Sequence, residues 1–169
     1  YHLVNLLIHL TAALLLYGVV RRTAPLAQGS GLRVQGDGFA CAIALLWVVH
    51  PLTTQAVTYI IQRAESLAGM FALLTLYATC RAAEEIGDVS MKRPQFRWTL
   101  TAITACAFGM LSKPVMVVVP LLVLAYDRTF LAGSVREALH RRRNLYLGLE
   151  ATWGLLAWVL AFGYTLPSI

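Results

Sequence analysis

The chain has 169 residues, of which 59% are apolar and only 13% charged, with a mean hydropathy of +0.67 and a formal charge of +6. A soluble domain carries about 25% charged residues, so disordered, nucleic-acid-binding and ordinary globular classes are excluded. The Lys and Arg fall in clusters between long apolar stretches, as in a protein that crosses a membrane several times. The chain opens at Tyr1, already inside an apolar run, so a piece of a longer protein is expected. The cysteines Cys41, Cys80 and Cys106 form no C-x-x-C pair and lie in or beside apolar runs. They are expected to be small buried hydrophobes rather than a disulfide framework or a zinc site.

Six apolar segments can be marked in chain order, at about 1–20, 38–50, 66–80, 98–112, 114–126 and 145–164. The expected fold is therefore an all-α polytopic bundle with about six membrane segments. The first and last are long enough to cross a bilayer, because about 20 helical residues cover ~30 Å. The shorter ones must end against protein or belong to longer helices. Segments 98–112 and 114–126 form either one kinked span or two spans turning back at Ser112-Lys113-Pro114. Charge decides between them. With two spans, twelve of the fourteen Lys and Arg lie on one side, and only Arg63 and Lys113 lie on the other. With one span the split is seven against six, with Lys113 stranded in the membrane. Lys and Arg accumulate in cytoplasmic loops, so two spans are predicted. Residues 21–37, 81–97 and 127–144 are then cytoplasmic, and 51–65 and 112–114 exoplasmic.

On the first segment His2, Asn5 and His9 share one helix face at the exoplasmic end. They suit either interhelical hydrogen bonding or the wall of a cavity. Two histidines seven apart lie ~10 Å apart along a helix axis, too far for one zinc ion. After His50, Pro51 ends the second segment, and a short amphipathic helix is expected at about 53–64. Its polar side carries Gln55, Tyr59 and Arg63, with Glu65 just beyond. That helix is a connector in the interface plane, or a lid over a polar cavity. At Ser112-Lys113-Pro114, proline suits the first helical position, and the free amides beside Lys113 make a candidate anion site. Arg63 and Lys113, if they converge, suit a lipid phosphate. Lys113 snorkelling to headgroups is the plainer alternative.

The cytoplasmic loops read as structural. Glu84, Glu85, Asp127 and Arg128 are expected to be solvated or capping charges. The run Arg141-Arg142-Arg143 is mainly a topology signal that can touch anionic lipid heads. Trp153, Trp158 and Tyr164 are expected to pack or anchor at the interface. Glu150, nearly two turns inside the last segment, has no assigned role.

Three stretches occur in a characteristic order: YHLVNLLIHL (Tyr1 to Leu10), HPLTTQAVTYIIQRAESLAG (His50 to Gly69) and GMLSKPVMVVVPLLVLAYDRTF (Gly109 to Phe130). On these the chain resembles the membrane domain of bacterial transmembrane-and-TPR proteins, which are similar to the transmembrane TPR O-mannosyltransferases of the GT-C glycosyltransferase fold. The resemblance covers the chain, read as a fragment of one GT-C-like domain over 1–169 in a bacterial inner membrane. It implies transfer of a sugar from a polyprenyl-phosphate donor to a protein hydroxyl on the exoplasmic face. It implies as partners the acceptor protein, the bilayer, the remaining spans and a TPR domain, with no nucleic acid, metal or other cofactor. Lys113 and Arg63 would bind the donor phosphate. His50, Gln55, Tyr59, Glu65, Ser112, His2, Asn5 and His9 would line the cavity. The catalytic carboxylate of such enzymes is expected in a loop ahead of Tyr1. Two departures stand out: Pro114 follows Ser-Lys where many relatives have Glu, and Gln55 replaces a common acid. Both remove negative charge and leave room for a non-catalytic anchor or scaffold for the TPR domain. A transporter fits the broken short helices, but no inverted repeat is visible.

Overall fold

The structure, a computed structural model, describes residues 2–26, 36–50, 63–84 and 92–163. Among these the chain is all-helical, with no strand. The helices are α1 (His2–Leu26), α2 (Gly36–Val49), α3 (Arg63–Glu84), α4 (Lys92–Ser112), α5 (Val119–Tyr126), α6 (Val135–Arg141) and α7 (Arg143–Gly163). A 3-10 turn at Pro114–Val118 leads into α5, and a π turn at Asp127–Leu131 leaves it.

Each apolar segment coincides with a helix, but several helices are longer than the apolar stretch that revealed them. The segments at 66–80 and 98–112 are α3 and α4, of 22 and 21 residues. Charged residues such as Arg81, Glu84 and Arg97 end the hydropathy signal without ending the helix. Their long side chains carry the charge outward while the backbone ladder continues. Arg63 belongs to α3, while the rest of the expected interfacial helix, including Gln55 and Tyr59, lies outside the described residues. Helix α6, inside the expected loop 127–144, is an addition. Ser134 caps it by accepting the Glu137 amide hydrogen bond at 3.2 Å.

Paired contacts fix the directions of α1, α2, α3, α4, α5 and α7. Asn5 meets Arg63, the backbone of Gly18 meets the Tyr77 ring, and Arg22 meets Glu84, so α1 and α3 run parallel. His9 meets Val48 and Arg21 meets Asp37, so α2 runs antiparallel to α1. Phe71 stacks on Phe108, and Tyr77 meets Trp98 edge-on, so α3 and α4 are antiparallel. Lys113 lies beside Glu65, whereas Tyr126 reaches Cys80 thirteen residues later. The stretch from Pro114 therefore runs back along α3, and the chain reverses at Ser112-Lys113-Pro114. Ile103 against Gly148 and Cys106 against Thr152 make α7 parallel to α4.

Three helical stretches among the described residues are long and apolar enough to cross a membrane: α1, α3 and Pro114–Leu131. Helix α2 is apolar but has only 14 residues. The interhelical core mixes small side chains such as Ala78, Ala102 and Cys106 with larger ones such as Met110, Leu145 and Leu149, and small residues sit where helices approach most closely. Gly18 shows why. A Cβ there would come within 2.5 Å of the Tyr77 ring, and that ring is held in turn by Arg22 above it and Trp98 at its edge. Cys41, expected to be buried, is exposed on α2, because α2 packs mainly on α1 and leaves its other faces open.

At the end of the bundle where α1, α3 and α5 finish, polar groups are buried rather than solvated. The Tyr126 hydroxyl lies 2.5 Å from Thr23 Oγ1 and 3.2 Å from Cys80 Sγ, tying three helices together. Asp127 is wholly enclosed. It pairs with the Arg142 guanidinium and accepts the Tyr146 hydroxyl at 2.6 Å. This corrects the reading of Asp127 as a solvated charge and of Arg142 as only a topology signal. The π turn carries Asp127 inward, where burial is tolerable because both carboxylate oxygens have donors. Glu84, likewise, pairs with Arg22 and Arg81 rather than standing alone in solvent.

A buried pair that loses one partner leaves an uncompensated charge, which costs about 3–5 kcal/mol. Asp127→Ala is therefore expected to lower unfolding stability in detergent by that amount, while the double change Asp127→Leu with Arg142→Met recovers most of it. Equal losses in the single and double variants would show that the pair's charge is not what holds this end. Gly18→Ala should lower stability by about 1–3 kcal/mol through overpacking. Gly154→Ala, whose new Cβ meets nothing within 4 Å, should not.

Candidate functional site at the Lys113 end

The opposite end of the bundle gathers the start of α1, the end of α2, the start of α3 and the α4–α5 turn. Eight of the ten site residues read from the sequence are described, and all eight lie here. Gln55 and Tyr59 are outside the described residues.

The turn is built by local chemistry. Proline disfavours helical backbone in the residue before it, and Lys113 is extended, at φ −157° and ψ 133°. The Lys113 amide closes the last turn of α4 on the Gly109 carbonyl at 3.0 Å. Ser112 donates its hydroxyl back to Phe108 O at 2.9 Å, so it serves its own helix. Gly109 gives the Met116 side chain room to pack against α4, since a Cβ there would lie 2.2 Å from Met116 Cε. The return begins as a 3-10 turn, and the Met116 amide already donates to Lys113 O at 3.1 Å. Fewer free amides are thus left beside Lys113 than a regular α-helical start would offer.

Arg63 and Glu65 are two residues apart on α3 and point about 200° apart around it. Glu65 faces the turn and pairs with Lys113. Arg63 faces α1 and donates from Nε to Asn5 Oδ1 at 3.2 Å. The two cations therefore flank the start of α3 with different partners. They do not share one in this structure, and Arg63 and Glu65 do not pair with each other. On α1, His9 reaches Val48 O at 3.4 Å and stacks on Trp47 with ring centroids 4.6 Å apart. Asn5 and His9 are buried, while His2 and His50 are exposed. Interhelical bonding is thus what Asn5 and His9 do here.

Sequence reasoning passed over two features. Trp47, the stacking partner of His9, carried no polar signal. Ala68, Gly69 and Ala72 on α3 looked like ordinary packing residues. With Glu65, Lys113 and Val115 they line an open cavity of about 350 Å³. Their small size leaves a trough along α3, with an ion pair at its lip and apolar walls below. The signal that could have found it is the spacing of small residues one turn apart, directly inside a charged pair.

No family model and no solved structure matches the chain. Curated proteins do. Over 157 residues, 85% of this chain, it is 29% identical to protein O-mannosyl-transferase TMTC4 of Mus musculus. The identity to protein O-mannosyl-transferase TMTC4 of Homo sapiens is 29% over 169 residues, 92% of this chain. Protein O-mannosyl-transferase Tmtc3 of Drosophila melanogaster is 35% identical over 103 residues, covering 55% of this chain and 11% of that protein. The chain spans about a fifth of the length of the TMTC4 relatives, 20% and 22%. It is similar to the transmembrane TPR O-mannosyltransferases, as its three quoted stretches implied.

The two polar contacts at this end differ in burial, and that decides their weight. Asn5 is 2% exposed, and removing a buried hydrogen-bond partner costs about 1–3 kcal/mol. The Lys113–Glu65 side chains are 38% and 60% exposed, and such a pair contributes under about 1 kcal/mol. Asn5→Ala should therefore destabilise the protein in detergent clearly more than Glu65→Ala. The reverse order would place the structural tie at the ion pair instead.

Proposed function

We propose that this chain is part of a membrane glycosyltransferase that moves a sugar from a polyprenyl-phosphate donor to a protein hydroxyl on the exoplasmic face. The observation that carries the proposal is the similarity to protein O-mannosyl-transferases along most of the chain. The GT-C architecture, with about six membrane segments around one cavity, is part of the same reading. So is the orientation, with the Lys113 end exoplasmic and the Asp127 end cytoplasmic, which rests on the charge count.

The trough beside Lys113 supports the assignment of a donor site. A polyprenyl phosphate needs an apolar channel for its chain and a cation for its head. The Lys113 ammonium, on extended backbone at the trough's lip, supplies the cation. Its present partner is an exposed carboxylate that holds it weakly, so a phosphate can take Glu65's place. In transfer, the acceptor oxygen attacks the sugar's anomeric carbon and the bond from that carbon to the phosphate oxygen breaks. The electron pair leaves with the polyprenyl phosphate. Lys113 stabilises that charge as it grows, while Arg63, which faces α1 and holds Asn5, fixes the start of α3 rather than touching the phosphate. The hydroxyl proton passes to a carboxylate, which this reading places in an exoplasmic loop ahead of Tyr1. His50 positions donor or acceptor at the mouth, and Gln55 and Tyr59 complete the wall.

Lys113→Ala in the full-length protein, supplied with polyprenyl-phosphate mannose in membranes, should reduce transfer about a hundredfold or more. Arg63→Ala, which removes the Asn5 contact and leaves the trough lining intact, should reduce it far less. Insertion and expression should match the unmodified protein. Undiminished transfer by Lys113→Ala at equal membrane levels would remove the phosphate assignment.

A further inference from the structure

We propose that a second cavity, at the opposite end of the bundle, binds the phosphate headgroup and upper acyl chain of an anionic phospholipid. It lies between α4 and the α6–α7 junction and has a volume of about 610 Å³. The junction falls at Arg142, whose backbone (φ −121°, ψ 38°) interrupts the helix. The interruption brings four consecutive basic side chains, His140 to Arg143, to the cavity wall. No carboxylate lines it among the described residues. Arg141 is paired with Glu137 and Arg142 with Asp127. Arg143 has no acidic partner among the described residues.

Arg142 is the independent observation. Its side chain is only 7% exposed, it lines this cavity, and its Nε–H has no acceptor among the described residues. Asp127 holds the guanidinium in place from behind, so the basic wall is fixed rather than free to swing into solvent. The rest of the lining says what kind of molecule fits there. Along α4 the wall combines the polar Gln95 and Thr99 with the apolar Phe96, Leu100 and Ile103. Eight residues of helix span about 12 Å, enough for a headgroup and the first part of an acyl chain. A free phosphate would use only the basic mouth. The apolar floor, facing outward at Leu100 with 48% exposure, favours a lipid. Nothing in this inference depends on the Lys113 site.

The test is lipid retention by the full-length protein purified in mild detergent, read by native mass spectrometry with phosphatidylglycerol against phosphatidylcholine. The unmodified protein should retain phosphatidylglycerol in preference. Arg143→Ala combined with His140→Ala should weaken that retention at least about tenfold, and Arg128→Ala, outside the cavity, should leave it intact. Thr99→Trp fills the groove without altering charge and should also expel the lipid. Retention unchanged in the basic double variant or in Thr99→Trp would overturn the proposal. Displacement of the lipid by millimolar inorganic phosphate would overturn the lipid as occupant and leave a simple anion site.

Discussion

Pro114 has no backbone N–H, and its ring disfavours helical backbone at Lys113. Helix α4 therefore stops, and the chain folds back along α3 rather than continuing outward. Much of the architecture follows from that one local constraint. Because the chain returns, Lys113 stands next to Glu65 and Tyr126 arrives beside Cys80 and Thr23. Because it returns, the basic residues of α6 and α7 join those that end α1 and α3. A straight continuation would strand a lysine in the middle of an apolar span and scatter the cations between both ends.

The two ends then divide their work along physical lines. At the Asp127 end one pair, Asp127 with Arg142, is enclosed among more exposed ones, and breaking a buried pair is strongly destabilising. Tyr126, Asp127, Arg142 and Tyr146 are fixed for that reason, and they lock the helix ends together. At the Lys113 end the ion pair is exposed, and exposed pairs are weak. An acid–base pair thus clamps one end, while its counterpart at the other is exposed and weak. Burial, and not charge, makes the difference.

Small residues shape the packing between these ends. Gly18 and Gly109 bring helices close where rings and sulfur must fit, and Ala68, Gly69 and Ala72 leave the trough beside Lys113. In a bilayer, apolar side chains gain little by leaving lipid for one another, so close packing and polar contacts carry association. The exposed Leu and Val on α1 and α2 are what remains for lipid or for further spans.

Much of this was legible in the residues themselves. Apolar runs located the helices because hydropathy is a local sum. The charge count resolved the turn at Pro114 because each cluster's side depends only on how many times the chain crosses. Helix periodicity placed His2, Asn5 and His9 on one face. Tertiary structure decided the partners. Arg63 and Glu65 look like a local pair in the sequence, yet a rotation of about 200° sends them to different helices. Asp127 looks like a surface charge, and only the arrival of Arg142 and Tyr146 makes its burial possible. Local rules set where the backbone is helical and where it reverses. Which side chains meet depends on the rotation of each helix against neighbours distant in sequence, and no local pattern encodes that.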